Sequence, residues 1–192
     1  MALSATIHKV ELTISDMDRH YYATHALTLA RHPSETEARL MVRLLAFALY
    51  ANDRLEFGRG LSDVDEPALW HKAYTGEIQL WIDVGLPDEA RLRKACAQAQ
   101  RVVVLAYGGH AEESWWHKNA KPLARLENLT VLQLAPDDLD ALTGLCSRGM
   151  RLQALIQDGE VSLIDTAQTL SLRILTRQGH DAPAGDSAGQ LA

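Results

Sequence analysis

The pattern that organises the chain lies in residues 77–99. Apolar and polar residues nearly alternate in its first half, and Ile, Trp and Val there favour a pleated surface, so this half predicts a strand. Pro87 then suits the first turn of a helix, and Asp88 and Glu89 suit its positive end. Asp83 is therefore a carboxylate inside an apolar strand, opposite a helix start, and it needs a partner or a cation. The alternation predicts two faces for the strand: Leu80, Ile82 and Val84 on one, and Gln79, Trp81 and Asp83 on the other.

Alternating patterns also predict a β-hairpin near each end of the chain. Residues 5–15 and 20–29 alternate on either side of a short acidic turn candidate, which predicts an N-terminal hairpin. Residues 152–164 alternate around an Asp-Gly dipeptide, which is typical of tight hairpin turns. A further strand is predicted over residues 170–175.

Helical and strand-like patterns alternate between the two hairpins. A helical stripe of apolar residues opens at Pro33 or Ser34 and ends near residues 51–53. Residues 55–61 predict a short strand with a bulged end, and residues 68–70 form a brief apolar patch. After the strand that carries Asp83 and its helix, the predicted elements are a strand at 101–107, a helix at 112–126, a strand at 129–134 and a helix at 137–149.

The order of these elements predicts the fold class. Strands that alternate with helices favour crossover connections and a partly parallel sheet. We therefore expect an α/β fold with a mixed central sheet flanked by helices, and we expect the two antiparallel hairpins to extend that sheet.

The composition fits one globular domain. The chain has 192 residues, of which 47% are hydrophobic, enough for a real core at this length. Its formal net charge of -6 argues against broad, nonspecific phosphate binding, although a local basic groove stays open. No signal pattern and no apolar run near ~20 residues is present, so we expect a cytoplasmic protein without a membrane partner. We predict a single domain over residues 1–178, a disordered tail over 179–192, and free thiols at Cys96 and Cys146.

The candidates for chemistry are acids at three separate places in the chain and two cations that follow the last of these acids. Asp65 and Asp83 are eighteen positions apart, and their carboxylates converge if the strands around them pair antiparallel. Carboxylates that meet at one point repel each other unless a hard divalent cation lies between them, and oxygen ligands suit Mg²⁺. Such a cation can activate water and stabilise charge on a phosphate, and a nearby ammonium adds to this effect. The candidate acids are Glu35, Asp65 (with Asp63 and Glu66) and Asp83, and the nearby cations are Arg91 and Lys94.

Each candidate also has a simpler interpretation. Acids are mostly solvated or cap helices, so Asp65 can be a plain loop acid, and Lys94 can be a surface lysine. Asp83 has the strongest claim to a site because it lies inside an apolar strand. Other chemistries are disfavoured: the eight histidines include no pair at zinc-site spacing, and no glycine pair is followed by the Lys-Ser or Lys-Thr of a phosphate-binding loop.

Four segments of the chain together form a specific pattern: LTLARHPSET (27–36), FGRGLS (57–62) with DEP (65–67), LWIDVGLPDE (80–89) and LQALIQDG (152–159). By these segments the chain resembles the YaeQ family, over about residues 1–178. Members of that family resemble the PD-(D/E)XK nuclease fold, in which a helix precedes a β-hairpin that carries an Asp and then an acid-x-Lys motif. By this resemblance, Glu35 matches the helix acid, Asp65 the first hairpin acid and Asp83 the acid of acid-x-Lys.

One position departs from the pattern that the resemblance implies. The lysine expected two residues after Asp83 is Gly85, so no ammonium projects there. Lys94 on the following helix could reach back on its long stem, as migrated lysines do in some members of that superfamily. Arg91 is closer in sequence, but it is a poorer proton donor.

Two functional hypotheses follow. The first is a Mg²⁺-dependent, nuclease-like phosphodiesterase acting on nucleic acid. Asp65 and Asp83 would hold the metal, Glu35 would position it or a water, and Lys94 would stabilise the attacked phosphate. The second is a catalytically degenerate nuclease-fold protein with a binding or regulatory role, for example in transcription, and the missing lysine and the acidic charge favour it. A weaker third hypothesis is a protein-binding surface around Trp115.

Overall fold

The computed structural model describes residues 5–59 and 65–179, and these form an α/β fold of two mixed β-sheets and four α-helices. The α/β class predicted from the sequence is confirmed. The strands are β1 (Thr6–Asp16), β2 (Tyr21–Arg31), β3 (Leu55–Phe57), β4 (Leu69–Lys72), β5 (Ile78–Val84), β6 (Ala99–Ala106), β7 (Leu129–Leu134), β8 (Gly149–Gln157), β9 (Glu160–Ile164), β10 (Thr169–Leu172) and β11 (Ile174–Gln178). The helices are α1 (Glu37–Tyr50), α2 (Glu89–Gln98), α3 (His110–Leu123) and α4 (Pro136–Gly144).

The larger sheet has six strands in the order β11-β7-β6-β5-β4-β3. Its central strands β5, β6 and β7 pair in parallel, because α2 and α3 carry the chain back across the sheet between them. Strands β3, β4 and β11 add antiparallel pairs at its two sides. This is the mixed, helix-flanked sheet that the alternation of strands and helices predicts.

The two predicted hairpins exist, but they form a separate five-stranded sheet in the order β10-β9-β8-β1-β2. Strands β1 and β8 pair in parallel and join the hairpins side by side. The expectation that the hairpins extend the central sheet is therefore wrong. The physical reason is that β1 and β8 each bury one apolar face, through residues such as Leu12 and Leu152, and α1 covers both faces when the hairpins lie together.

The single strand predicted over residues 170–175 divides at Arg173 into β10 and β11, which belong to different sheets. The backbone N–H of Arg173 donates to Asp138 Oδ2 at 2.7 Å, and its carbonyl accepts from the N–H of Ala135 at 3.0 Å. These bonds satisfy the backbone at the point where the chain passes from one sheet to the other.

Helix α1 fills the space between the two sheets. Every residue from Leu40 to Tyr50 is buried, and one hydrophobic core includes side chains of both sheets. The helix begins at Glu37, three or four residues later than the sequence pattern predicts, because the Thr36 hydroxyl accepts from the N–H of Arg39 at 3.1 Å and caps the helix there.

Helices α2 and α3 lie on the opposite face of the six-stranded sheet, over a second core that includes Trp81, Leu92 and Val104. Both α3 and α4 end earlier than predicted, and Gly149 already begins β8. Within the described ranges, no helix is long and apolar enough to cross a membrane.

Some predictions fall on residues that the structure does not describe. The predicted strand at 55–61 is seen as β3 over its first three residues, and residues 60–64 lie outside the described part. Of the tail predicted over residues 179–192, residues 180–192 also lie outside it. The assignment of one domain to residues 1–178 stays a prediction.

Candidate site around Asp83

Asp83 lies in the C-terminal half of β5, and its side chain points to the α2 side of the sheet. The residue is 3% exposed, and the indole N–H of Trp81, two positions earlier on the same face, donates to Asp83 Oδ2 at 3.1 Å. The two faces of β5 are those predicted from the alternation, since Ile82 and Val84 pack into the core around α1. A buried carboxylate in this position needs more than one neutral donor to stay charged.

The cation that pairs with Asp83 is Arg91. The Nε atom of Arg91 donates to Asp83 Oδ2 and its Nη2 atom donates to Asp83 Oδ1, each at 2.8 Å, so the pair is bidentate. Arg91 Nη2 also donates to the carbonyl of Glu66 at 2.8 Å. The hydrogen bonds to Asp83 raise the pKa of Arg91. Both oxygens of the Asp83 carboxylate are thus held by one guanidinium.

The start of α2 places that arginine. Pro87 lies two residues before Glu89, where α2 begins, so it precedes the first turn in which the sequence pattern places it. The side chain of Asp88 accepts from the backbone N–H of Arg91 at 2.8 Å, which caps the helix. Trp115 of α3 donates its indole N–H to the carbonyl of Pro87 at 2.7 Å and supports the same turn. Trp115 is half-buried, and this bond connects it to the segment that leads into α2.

Asp65 and Lys94, which the sequence analysis placed in one site, are in contact. Lys94 Nζ donates to Asp65 Oδ1 at 2.7 Å, and this hydrogen bond lowers the pKa of Asp65. Asp65 precedes β4, which pairs antiparallel with β5, so the predicted antiparallel arrangement brings Asp65 to the end of β5 that carries Asp83. The charge of Asp65 also raises the pKa of Arg91, so the two acids and the two cations form one charged group.

A cavity of about 350 Å³ opens beside this group. Its lining combines the aromatic side chain of Trp81 with both cations and two acids. The lining residues are Asp65, Trp81, Asp88, Ala90, Arg91, Lys94 and Ala95.

Glu35 lies on the other face of β5. Its carboxylate is buried and contacts the guanidinium of Arg43, with Arg43 Nε 3.0 Å from Glu35 Oε1. Arg39 Nε is 3.7 Å from the same oxygen, and Arg39 Nη1 donates to the carbonyl of Val84 at 2.7 Å. Burial lowers the pKa of Arg43, and Glu35 opposes that shift. Glu35 is thus tied to α1 and to the end of β5, while Asp83 faces α2.

The donor set can be tested against Mg²⁺, the cofactor that the resemblance implies. Within residues 5–59 and 65–179, no three or more His, Cys, Asp or Glu side chains lie close enough to hold a metal ion together. Both oxygens of Asp83 are engaged by Arg91, and Asp65 is engaged by Lys94. In this arrangement Asp83 does not fit a hard cation, because one guanidinium already neutralises both of its oxygens.

The backbone explains why glycine occupies the expected lysine position. Gly85 has a φ of +96°, in the region that favours glycine, and a Cβ atom there would lie 3.5 Å from Arg39 Nη1. A lysine at this position would be strained, so the ammonium of the site comes from α2 instead. Arg91 was one of the two cations expected here, whereas the indole bond of Trp81 was not predicted, although the alternation on β5 already places Trp81 and Asp83 on one face.

A second buried polar group lies farther along the same face of the sheet. Gln133 Nε2 of β7 donates to Glu112 Oε2 at 2.6 Å, and Arg177 Nη2 of β11 donates to the same oxygen at 3.2 Å. Glu112 is fully buried. The sequence pattern gave no signal for this group, because its members come from three elements that only the fold brings together.

Comparisons with known proteins find relatives over nearly the whole chain. A family model described as YaeQ protein matches residues 1–174. The uncharacterized protein YaeQ of Salmonella typhi is 46% identical over 178 residues, which are 93% of this chain and 98% of that protein, and that of Escherichia coli (strain K12) is 43% identical over the same shares. The crystal structure of YaeQ protein from Xanthomonas axonopodis pv. citri matches with a TM-score of 0.89 at 55% identity, over 92% of this chain and 100% of that one. The crystal structure of YaeQ protein from Pseudomonas syringae matches with a TM-score of 0.88 at 38% identity, over 92% of this chain and 97% of that one.

Proposed function

The chain belongs to the YaeQ protein family, and from the geometry around Asp83 we propose that it is a binding or regulatory protein with a nuclease-like core and no metal-dependent cleavage. The nuclease-like core is supported by the order of α1, the β4–β5 hairpin, α2 and the parallel strand β6, with Asp65 and Asp83 at one end of the hairpin. The absence of cleavage is supported by the partners of Asp83.

The single observation that carries this proposal is the bidentate pair between Arg91 and Asp83. A metal ion that used Asp83 would have to displace the guanidinium, the indole bond from Trp81 and the bond from Arg91 to the Glu66 carbonyl. The metal would have to offset the loss of this partly exposed ion pair, which contributes about 2 kcal/mol. Arg91 therefore serves as the fixed cation of the site, in the place where an active nuclease would use a metal.

The binding role rests on the cavity beside this pair. Its rim carries the exposed ion pair of Lys94 and Asp65, which water screens and which a ligand can open at little cost. The proposed role is to hold a partner at this cavity while Arg91 and Asp83 keep its wall rigid. A regulatory function, for example in transcription, is compatible with such a site.

A cleavage assay with single-stranded and double-stranded DNA and RNA tests this proposal. We expect no cleavage in the presence of Mg²⁺ or Mn²⁺, and we expect no change of the melting temperature when either ion is added. Asp83→Ala and the control Asp137→Ala, an exposed acid on α4, should behave alike in the assay. Cleavage by the natural chain that is lost in Asp83→Ala, but kept in the control, would refute it.

The second candidate is the Mg²⁺-dependent phosphodiesterase acting on nucleic acid. The observation that favours it is the contact between Lys94 and Asp65, because a lysine that reaches the acids from α2 is what the migrated-lysine hypothesis requires. In this function Asp65, Asp83 and Lys94 keep the roles expected from the sequence. Glu35 does not, because its carboxylate contacts Arg43 on the other face of β5.

The same assay separates the two candidates. The enzyme hypothesis predicts cleavage that falls by at least about tenfold in Lys94→Ala, as expected when a charge-stabilising group is removed. Arg93→Ala is the matched control, because Arg93 is a neighbouring cation of α2 whose ion-pair partner is Glu89. Equal rates for these two variants would exclude the role assigned to Lys94.

A further inference from the structure

Strand β2 differs from the other strands at the edges of the two sheets. Among the described residues, the other edge strands are β3 with three residues, β10 with four and β11 with five, and β11 also carries an irregularity in its register. Strand β2 has 11 residues and pairs along its whole length with β1. Short or bulged edges resist pairing with other chains, whereas a long regular edge invites it.

The usual protections of an edge strand are missing from β2. The segment Tyr21–Arg31 contains no proline, no glycine and no acid, and its one Lys or Arg side chain is the terminal Arg31. In the part of the chain that the structure describes, its backbone forms a strand pair with β1 alone, and Arg43 donates to the Ala30 carbonyl at 3.4 Å. Most of an edge of 11 residues is thus available for main-chain hydrogen bonds.

The sequence of β2 is complementary to itself when it is read in the antiparallel direction. With Ala26 opposite Ala26 of a second copy, Thr24 lies opposite Thr28, and Tyr22 lies opposite Ala30. The Thr28 hydroxyl already accepts from Lys9 Nζ at 2.8 Å, and the Thr24 hydroxyl lies 3.0 Å from that of Thr13, so the hydrogen of the Thr28 hydroxyl is the one that can be donated to Thr24 of the second copy. A large residue opposite a small one packs without a clash. The one terminal cation, Arg31, lies opposite Tyr21, so no like charges meet although the chain carries a net charge of -6.

Two exposed hydrophobic side chains lie where this pairing would cover them. Tyr22 is 61% exposed and Ile7 is 47% exposed. Ile7 is the partner of Ala30 in the β1–β2 pair, so a second copy would place its Tyr22 on the other side of Ala30 in the same row. The small alanine leaves room for Tyr22 of the second copy to lean towards Ile7, which removes apolar surface of both side chains from water.

We propose that this protein forms a two-fold dimer in which β2 pairs antiparallel with β2 of a second copy, centred on Ala26. The pairing joins the two five-stranded sheets into one continuous sheet. A two-fold axis through the middle of an antiparallel strand pair makes every contact occur twice, so the complementarity along β2 is used on both halves. The site around Asp83 belongs to the other sheet and stays accessible.

Sedimentation velocity at micromolar concentrations tests the proposal. We expect the full chain to sediment as a species with twice the mass of one 21.2 kDa chain. Ala26→Arg places two like charges side by side on the two-fold axis, so its dimer dissociation constant should rise by more than about tenfold. Gln153→Arg is the matched control, since Gln153 is exposed on the same face of the sheet, on β8, and it should leave the dimer unchanged.

Cross-linking fixes the register and does not depend on how well the arginine variant folds. Residues opposite each other in an antiparallel pair lie within disulfide distance, so Ala26→Cys should form a symmetric disulfide under mild oxidation, and Gln153→Cys should not. A chain that is monomeric throughout the micromolar range would overturn the proposal. A dimer that Ala26→Arg leaves intact, or that Ala26→Cys does not cross-link, would assign the interface to another surface and would overturn it as well.

Discussion

At the level of single residues, the properties of the site depend on how a buried carboxylate is neutralised. Asp83 is 3% exposed, and the chain supplies its counter-charge from Arg91, eight residues later. The bidentate geometry matters because it engages both oxygens, and the Trp81 indole adds a third bond. A guanidinium that is always charged at physiological pH makes this neutralisation permanent.

The strength of this pair is testable by removal of one partner. We expect Arg91→Ala to lower the free energy of unfolding by about 2 kcal/mol, somewhat less than for a fully buried pair, because the Arg91 side chain is 28% exposed. Arg93→Ala removes an exposed cation of the same helix and should cost less than about 0.5 kcal/mol. Urea denaturation of both variants measures the difference, and equal midpoints would mean that the Asp83 pair contributes little.

The thiol of Cys96 offers an independent residue-scale test. Burial raises the pKa of Cys96 from an ordinary value of 9.0 to about 11, so its thiolate is scarce at pH 8. We expect alkylation of Cys96 by iodoacetamide at this pH to be roughly 100-fold slower in the folded chain than in urea. Peptide mapping by mass spectrometry gives the rate for this residue alone, and a folded rate within a few-fold of the unfolded one would contradict the burial.

At the scale of secondary-structure elements, α2 delivers both cations of the site. Arg91 and Lys94 are three residues apart and therefore lie on the same side of the helix, towards Asp83 and Asp65. The start of the helix fixes their height above the sheet, because the Asp88 side chain caps the helix at the backbone N–H of Arg91. The helix start is thus part of the site.

Removal of the cap should weaken the helix that carries the site. We expect Asp88→Ala to lower the free energy of unfolding by about 1 kcal/mol, the usual cost of losing an N-cap. Asp140→Ala, at an exposed position inside α4, should change it by less than about 0.5 kcal/mol. Thermal denaturation followed by circular dichroism compares the two, and a cost for Asp140→Ala as large as that for Asp88→Ala would argue against the capping role.

The helices and strands were easier to predict from the sequence than the side-chain contacts between them. Alternation along β5 gave the strand and both of its faces, and Pro87 with the acids after it gave the start of α2. The pairing of Asp83 with Arg91 was not decided, because sequence spacing does not tell which of two cations on one helix reaches a given acid. The left-handed backbone of Gly85, which excludes a lysine there, is a property of the folded chain only.

At the scale of the whole molecule, two sheets share one core through α1. Local patterns predicted both hairpins. They could not show that β1 pairs with β8, more than a hundred residues later in the chain, because this contact depends on which apolar faces α1 can cover. The shared core includes Leu12 from the five-stranded sheet and Ile82 from the six-stranded sheet. The two sheets should therefore unfold together.

This cooperativity can be tested by a core substitution in one sheet, with the unfolding of the other sheet as the readout. The four tryptophans lie in or over the six-stranded sheet, in β4, β5 and α3, whereas Leu12 is fully buried in β1. We expect Leu12→Ala to lower the free energy of unfolding reported by tryptophan fluorescence by about 2–5 kcal/mol. A tryptophan transition that does not move would show that the two sheets unfold separately.

Anomalous diffraction of a crystal soaked in Mn²⁺ tests directly whether Asp83 can bind a metal. Because Arg91 already occupies the carboxylate, we expect no anomalous peak at Asp83, with the guanidinium still bidentate on both of its oxygens. A peak about 2.2 Å from carboxylate oxygens of both Asp83 and Asp65, with Arg91 displaced, would contradict it and would favour the metal-dependent enzyme.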